Sequence, residues 1–182
     1  MICKKIKDAV NDSGEQVSGE EALEKSLDFL HGIGIATHIG KIEGISFLPG
    51  LSIKCGSIII HREALKYPGD ILHEAGHIAV VPAAERANLD AASIEQRPDR
   101  DAEEMMAIAW SYAACVFLNI DPFFVFHNDG YKGGGNEIAI NFTNKKYFGL
   151  PMLQWLGMTA DEKNAASLAV APYPHMIKWL RD

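Results

Sequence analysis

The chain has 182 residues, of which 48% are hydrophobic and 23% charged, and its formal net charge is −7 at pH 7. This length and composition are typical of one soluble globular domain, spanning residues 1–182, that can bury a single sizeable core. The acidic balance argues against a nucleic-acid partner, because nucleic-acid-binding surfaces are rich in lysine and arginine.

Cysteine usage and the N-terminus predict a cytoplasmic protein. Cys3, Cys55 and Cys115 are odd in number and widely spaced, and no CxxC pair is present. This pattern favours reduced thiols over a disulfide framework. Residues 1–9 carry three lysines, but the polar residues 11–16 follow instead of an apolar stretch. The segment is therefore not predicted to be a signal peptide.

The first predicted element is a helix. Ser18 and Glu21 form a capping box, and Leu23, Leu27 and Leu30 follow at helical spacing before the glycines at 32 and 34. A region of strands comes next, bounded by turn residues such as Pro49-Gly50. The predicted strands are the alternating Ile33, Ile35, Thr37 and Ile39, then Ile45–Leu48, Leu51–Lys54 and Ser57–Ile60. They predict a small, mainly antiparallel sheet whose last strand leads to the next helix.

The second helix is predicted between Tyr67 and Pro82. Tyr67-Pro68-Gly69 is a turn signal, Asp70 is a candidate N-cap, and Pro82 ends the helical pattern. Gly76 lowers helix propensity by about 1 kcal/mol relative to alanine. It therefore indicates close approach of another backbone or of a substrate. The predicted buried face consists of Ile71, Leu72, Ala75, Ile78 and Ala79.

This helix carries the run His73-Glu74-Ala75-Gly76-His77, a complete HExxH pattern. Histidines at i and i+4 project one turn apart from one helical face, so both imidazoles can bind the same zinc ion while Glu74 stays beside it. The alternative is two histidines on a helix surface without a metal.

A catalytic zinc requires a third protein ligand and an open position for water. The extended HExxHxxGxxH pattern needs glycine at position 80 and histidine at 83, where the chain has Val80 and Ala83. The other common ligand is a glutamate from a second helix. Glu103 and Glu104 lie in the first turn of a helix predicted from Asp101 to Asn119. One of these two glutamates is predicted to be the third ligand.

The chain resembles the ImmA/IrrE family of small bacterial metallopeptidases, which have the gluzincin arrangement. The likeness covers about residues 33–118 and rests on residues 56–60, on the HEAGH run and on Glu104-Met105-Met106-Ala107, which is similar to the family's E-x-x-A segment. The resemblance implies Glu104 as the third zinc ligand. It also implies an α+β, zincin-like fold: an N-terminal helix, a small mainly antiparallel sheet, the HExxH helix, a second glutamate-bearing core helix and a helical C-terminal part.

Two positions depart from the patterns of known relatives. Ile108 stands where the ImmA/IrrE family often has asparagine. Thermolysin-type gluzincins hold the first histidine with an aspartate about four residues beyond the ligand glutamate, where this chain has Ala107 and Ile108. The sequence therefore predicts no hydrogen-bond partner for the histidine ring nitrogens that do not bind the metal. Such partners normally orient metal-bound rings.

Three features of the C-terminal half complete the sequence analysis. The apolar run from Met105 to Leu118 is too short to cross a bilayer and is predicted to form a buried central helix. Residues 129–136 are too glycine-rich to predict regular structure, and a surface loop is favoured over an active-site lid. Thr159 and Glu162 form a second capping box, and a last helical turn is predicted around Trp179.

The residue types predict hydrolysis of a peptide bond. A zinc ion would lower the pKa of a water molecule to near 7, and Glu74 would take the proton and pass it to the leaving amine. Residues of a type that can stabilise the oxyanion are Tyr131, His127, Tyr147 and His175. Each is more often structural than catalytic, as are His31, His38 and His61.

Two classes of function follow. The first is a zinc-dependent peptidase acting on a peptide or protein substrate that pairs with an edge strand of the sheet. The resemblance implies a regulatory protease. The second is a non-hydrolytic zinc-containing binding or regulatory protein on the same scaffold.

Overall fold

A computed structural model describes residues 18–42 and 48–182. Within these ranges the fold is α+β, with eight α-helices and one small sheet of three strands. The strands are β1 (Thr37–Ile39), β2 (Leu51–Lys54) and β3 (Ser57–Ile60). The helices are α1 (Gly19–Gly32), α2 (Asp70–Val80), α3 (Ala83–Arg86), α4 (Ala91–Glu95), α5 (Arg100–Leu118), α6 (Gly135–Thr143), α7 (Leu150–Trp155) and α8 (Glu162–Leu168).

Helix α1 begins and packs as its sequence predicts. Ser18 is the N-cap, and its hydroxyl accepts a hydrogen bond from the Glu21 backbone N–H at 3.2 Å. This bond satisfies one of the amide donors that every helix start leaves free. Leu23, Leu27 and Leu30 are all buried in the core. The predicted helix is confirmed.

The sheet is mixed, so the prediction of a mainly antiparallel sheet is wrong. The strand order is β1-β3-β2. Strands β2 and β3 form an antiparallel hairpin, whereas β1 pairs in parallel with β3, with Thr37 opposite Ile58. A hairpin between neighbouring strands follows from their two-residue turn. The partner and direction of β1 depend on a longer connection, which the alternating pattern does not encode.

The predicted first and second strands need correction. The alternating isoleucines form a strand only at Thr37–Ile39, because Ile33 caps α1 and the Ile35 backbone N–H donates to the Leu30 carbonyl of that helix. Residues 45–47 of the next predicted strand lie outside the described residues. Leu48 forms a single bridge with Leu51. The cap and turn interactions of these residues therefore replace a long strand.

Helices α2 and α5 pack against each other at the centre of the fold. The predicted buried face of α2 is confirmed: Ile71, Leu72, Ala75, Ile78 and Ala79 are each at most 1% exposed. Helix α5 buries Trp110 completely, as predicted for a central helix. The Ser111 hydroxyl lies between the helices, 3.2 Å from the Leu72 carbonyl oxygen of α2 and 2.7 Å from the Ala107 carbonyl oxygen of α5. No helix in the described part of the chain has the length and apolarity that crossing a membrane would require.

The C-terminal part departs from the sequence analysis at two positions. Asp161, not Thr159, is the N-cap of α8, and it accepts from the Asn164 backbone N–H at 2.8 Å. Thr159 instead donates to the His175 carbonyl oxygen. Trp179 is not helical; its ring packs against Phe29. Thr159 and Trp179 contact residues that are distant in the sequence, and these contacts override their local helix signals.

The two described cysteines are free thiols. Cys55 is exposed in the β2–β3 turn, whereas Cys115 is buried in α5. Burial raises the pKa of the Cys115 thiol, so it stays protonated. Cys3 lies outside the described residues.

Candidate metal centre

Helix α2 aligns the two histidines of the HExxH run. The Nε2 atoms of His73 and His77 are 3.1 Å apart, and their side chains are 12% and 10% exposed. The i, i+4 spacing accounts for this geometry, since it places the rings one turn apart on one face. Two imidazole nitrogens therefore converge on one point.

Helix α5 adds the third group. The Glu104 carboxylate lies 3.6 Å from His73 Nε2 and 3.2 Å from His77 Nε2. Its side chain is 42% exposed, so solvent reaches the cluster from the Glu104 side.

Gly76 explains how Glu104 comes so close. A Cβ atom at position 76 would lie 2.9 Å from the Ala107 carbonyl oxygen and 3.0 Å from the Ala107 Cα. The backbones of α2 and α5 therefore touch, which confirms the prediction of close backbone approach at this glycine. Glu104 precedes Ala107 by one turn on the same helix face. The contact between Gly76 and Ala107 therefore places Glu104 close to the histidines.

The three side chains fit a metal ion. Their ligand atoms all lie within 4.8 Å of one another. Tetrahedral zinc with bonds of about 2.0–2.1 Å requires neighbouring ligand atoms to be about 3.3 Å apart. The 3.1 Å between the two Nε2 atoms and the 3.2 Å from His77 Nε2 to Glu104 Oε2 are close to this value, and the other carboxylate oxygen, Oε1, lies 3.6 Å from His73 Nε2. Two histidines and one carboxylate also leave a fourth tetrahedral position open.

The side chain of Glu103 is buried against Arg97 and does not face the histidines. Charged carboxylates are almost never fully buried unless they are paired, but Glu103 is buried. Its side chain is 6% exposed and forms two hydrogen bonds with Arg97, at 2.6 and 2.8 Å. Buried carboxylates need such pairing because desolvation penalises their charge. Glu103 therefore faces Arg97 while Glu104 faces the histidines.

The protonation states of His73 and Glu104 suit metal binding, whereas His77 must lose a proton to bind a metal. Burial opposes protonation of His77, but the hydrogen bond with Glu104 and the charge of Glu74 raise the pKa of its ring. Burial, followed by the charge of His77, lowers the pKa of His73 to about 3, so this ring is neutral at pH 7. Burial opposes ionisation of Glu104, but the hydrogen bond with His77 and the charge of His73 lower the pKa of Glu104 to about 2. Neutral imidazole and ionised carboxylate are the forms that bind metals.

Glu74 lies beside these residues and carries a strongly shifted pKa. The residue is half-buried, and burial raises the pKa of its carboxyl to about 7, with Asp70 and Glu104 acting in the same direction. A carboxyl with a pKa near 7 can both take and return a proton at neutral pH. The acidity of Glu74 therefore permits proton transfer in either direction at neutral pH.

The glycine-rich segment is exposed at Asp129, Lys132 and Gly133, as expected for a surface loop, but its Tyr131 lies against His73. The Tyr131 ring is edge-on to the His73 ring, with centroids 5.2 Å apart. Residues 129–136 also include the start of α6 at Gly135, so they do contain regular structure. A Cβ at Gly135 would lie 2.2 Å from the His127 carbonyl oxygen. The glycine therefore permits a tight fold over the site.

A buried carboxylate anchors this segment. Asp70 is the first residue of α2, and Gly69 takes the N-cap position predicted for it. Asp70 Oδ1 instead lies 3.0 Å from His127 Nε2, and the side chains are 8% and 15% exposed. Tyr67 stacks on the His127 ring, and its hydroxyl donates to Asp129. These contacts hold residues 127–131 beside α2.

Three buried polar atoms near α2 have no hydrogen-bond partner among the described residues: His73 Nδ1, His127 Nδ1 and Tyr131 Oη. The missing partner of His73 agrees with the absence of a suitable aspartate at positions 107 and 108. An unpaired buried polar group costs about 1–3 kcal/mol, so such groups concentrate where a ligand completes them.

The other histidine and tyrosine candidates lie elsewhere. Tyr147 packs against Tyr173 and Phe142, and His175 is exposed. His31 is exposed and contacts Thr37, His38 is exposed on β1, and His61 lies 4.0 Å from Glu63.

Sequence reasoning missed Arg97 and the Asp70–His127 pair. Asp70 precedes His73 by one turn on the same helix, which is a local signal for a shared face. Arg97 offers no such signal, because it lies before α5 begins.

Comparison of the chain with protein-family models, with curated proteins and with solved structures finds no match.

Replacing Glu104 with glutamine should weaken zinc binding by about 100-fold or more, because the neutral amide is a much poorer ligand than a carboxylate. Zinc affinity measured by competition with a chromophoric chelator tests this expectation. Asp101→Asn is the matched control, since it removes a carboxylate from the exposed face of the same helical turn. Equal zinc affinity in Glu104→Gln and wild type would exclude Glu104 as a ligand.

Proposed function

We propose that this chain is a zinc-dependent peptidase in which His73, His77 and Glu104 bind the metal and Glu74 is the general base. The observation that carries the proposal is the convergence of two imidazoles and a carboxylate at 3.1–3.6 Å, next to a glutamate whose pKa is about 7. The resemblance to the ImmA/IrrE family supports the same assignment.

Each group has a role in peptide hydrolysis. A zinc ion supplies a Lewis acid that polarises the substrate carbonyl and makes a water molecule acidic near pH 7. Glu74 takes a proton from the attacking water and returns it to the nitrogen of the leaving amine. The pKa of about 7 suits both transfers. His73 and Glu104 remain neutral and ionised, respectively, at this pH.

Tyr131 is the side chain best placed to stabilise the oxyanion. Its ring contacts the His73 ring, and its buried hydroxyl has no partner within the described ranges. A hydroxyl that lacks a partner in the free protein can donate to an oxygen that acquires charge during the reaction. We assign this donation to Tyr131, among the four side chains considered from the sequence.

Tyr131→Phe should reduce kcat by about 100- to 1,000-fold, the scale for losing one oxyanion donor. The KM and the zinc content should stay close to wild type, because the phenyl ring keeps the contact with His73. Steady-state kinetics and metal analysis check this result. The control is Tyr147→Phe, which removes a hydroxyl from a tyrosine that packs against Tyr173. A kcat unchanged in Tyr131→Phe would contradict the assignment.

The proposed activity is tested by peptide-library cleavage. Zinc-loaded protein should cleave, a chelator should abolish cleavage, and added zinc should restore it. The competing function is a non-hydrolytic zinc-containing binding protein, which is favoured by the unpartnered Nδ1 of His73. Metal-bound histidine rings in active enzymes are normally held by such a partner. Stoichiometric zinc without any cleavage would support this second function.

A further inference from the structure

Arg97 and Glu103 form an ion pair whose geometry fixes the orientation of the Glu103 carboxylate and also pairs its charge. The Nε and Nη2 atoms of Arg97 donate to separate carboxylate oxygens of Glu103 at 2.6 and 2.8 Å. The Glu103 side chain is 6% exposed and the Arg97 side chain 18%. Two parallel bonds from a planar guanidinium specify the orientation of a carboxylate, which a single ionic contact does not.

This ion pair is adjacent to a metal ligand. Glu103 and Glu104 are consecutive near the start of α5, so their side chains point about 100° apart. They are chemically identical, and a rotation of this part of the helix would exchange them. Asp99, the N-cap of α5, makes no side-chain capping hydrogen bond. The Arg97–Glu103 pair is a buried side-chain contact at this end of the helix, whereas the Arg100–Glu95 pair there is exposed.

Arg97 also connects the start of α5 to the end of the HExxH helix. Its Nη1 atom donates to Glu85 at 2.9 Å. Glu85 lies on α3, which begins three residues after α2 ends. One guanidinium thus joins the segment that leaves α2 to the segment that enters α5, and these two helices supply all three proposed ligands.

We propose that Arg97 is a positioning residue of the metal centre: by clamping Glu103, it keeps that carboxylate away from the metal and turns Glu104 towards His73 and His77. This inference rests on the metal site of the proposed function but not on hydrolysis. The positions of Glu103 and Glu104 relative to Arg97 and the histidines carry it.

The test separates positioning from stability by exchanging the pair for apolar residues. In the double variant Arg97→Leu with Glu103→Met, no buried charge is left unpaired, so the fold should persist with a melting temperature close to that of wild type. The clamp is lost, and the zinc Kd should rise by about 10- to 100-fold, the scale for removing a residue that supports a ligand. Competition with a chromophoric chelator measures the Kd.

The control is Lys145→Leu with Glu162→Met. This ion pair lies away from the metal centre, with a separation of 3.4 Å, and its side chains are 73% and 79% exposed. It makes one contact instead of a fork. Its removal should change the zinc Kd by less than about 3-fold, because exposed ion pairs contribute little.

A second variant covers the case in which the apolar exchange does not fold. Arg97→Lys keeps the charge but loses the fork, and its zinc Kd should rise by about 3- to 10-fold. Wild-type zinc affinity in either folded Arg97 variant overturns the positioning role alone. Absence of zinc binding in the wild-type protein overturns both the proposed function and this inference.

Discussion

Glu74→Gln should reduce peptide hydrolysis by about 100-fold or more, the usual scale for removing a positioned general base. Zinc content and melting temperature should remain nearly unchanged. Glutamine keeps the size of the side chain and removes only its ability to take a proton. The residue is half-buried and its pKa is about 7, so at neutral pH the wild-type carboxyl exchanges protons readily. Initial rates on a cleaved library peptide provide the measurement.

The control for Glu74 is Glu63→Gln, a glutamate whose side chain is 93% exposed. It makes the same Glu-to-Gln replacement at an exposed position and should leave the rate unchanged. Equal hydrolysis by wild type and Glu74→Gln would show the proposed mechanism to be wrong, even with zinc bound.

His73→Ala and His77→Ala should each abolish stoichiometric zinc binding, because each removes one of only three proposed protein ligands. Zinc at 100 times its Kd stabilises a folded protein by about 2.7 kcal/mol. Added zinc should therefore raise the melting temperature of the wild type but not of either variant. Metal analysis after dialysis and thermal unfolding with and without zinc check both parts.

His38→Ala serves as the control for these histidine variants, since His38 is exposed on β1. It should retain one zinc per chain and the full thermal shift. Full zinc occupancy in both His73→Ala and His77→Ala would rule out this site.

These two sets of variants report on different properties. The histidine variants test whether a metal is bound at all, whereas Glu74→Gln tests chemistry with the metal in place. If the histidine variants lose zinc but the zinc-bound wild type hydrolyses no peptide, the protein is the zinc-containing binding protein.

Local patterns predicted α1, α2 and α5 well, but not the shorter helices α3, α4, α6 and α7. Helix α1 begins at its capping serine and buries its three periodic leucines, and α2 buries the apolar face that its spacing predicted. The separation of His73 and His77 follows from the same helical geometry. These features depend on residues three or four positions apart, and that information is contained in the sequence.

Features that depend on distant residues were predicted poorly. The parallel pairing of β1 with β3, the burial of Glu103 against Arg97 and the contact of Tyr131 with His73 were each missed. Asp70 shows the competition directly: its residue type favours an N-cap, but a buried contact with His127 takes its side chain instead.

The sequence by itself determined the α+β class, the two main helices and the residue types of a candidate metal site. It did not determine which residues stand around that site. The tertiary structure determines these surroundings. Gly76 lets α2 contact α5 at Ala107, which brings Glu104 to the histidines, and residues 127–131 fold back beside α2. Helical periodicity is a local property of the chain, whereas the packing of two helices depends on shape and polar contacts between residues far apart in sequence.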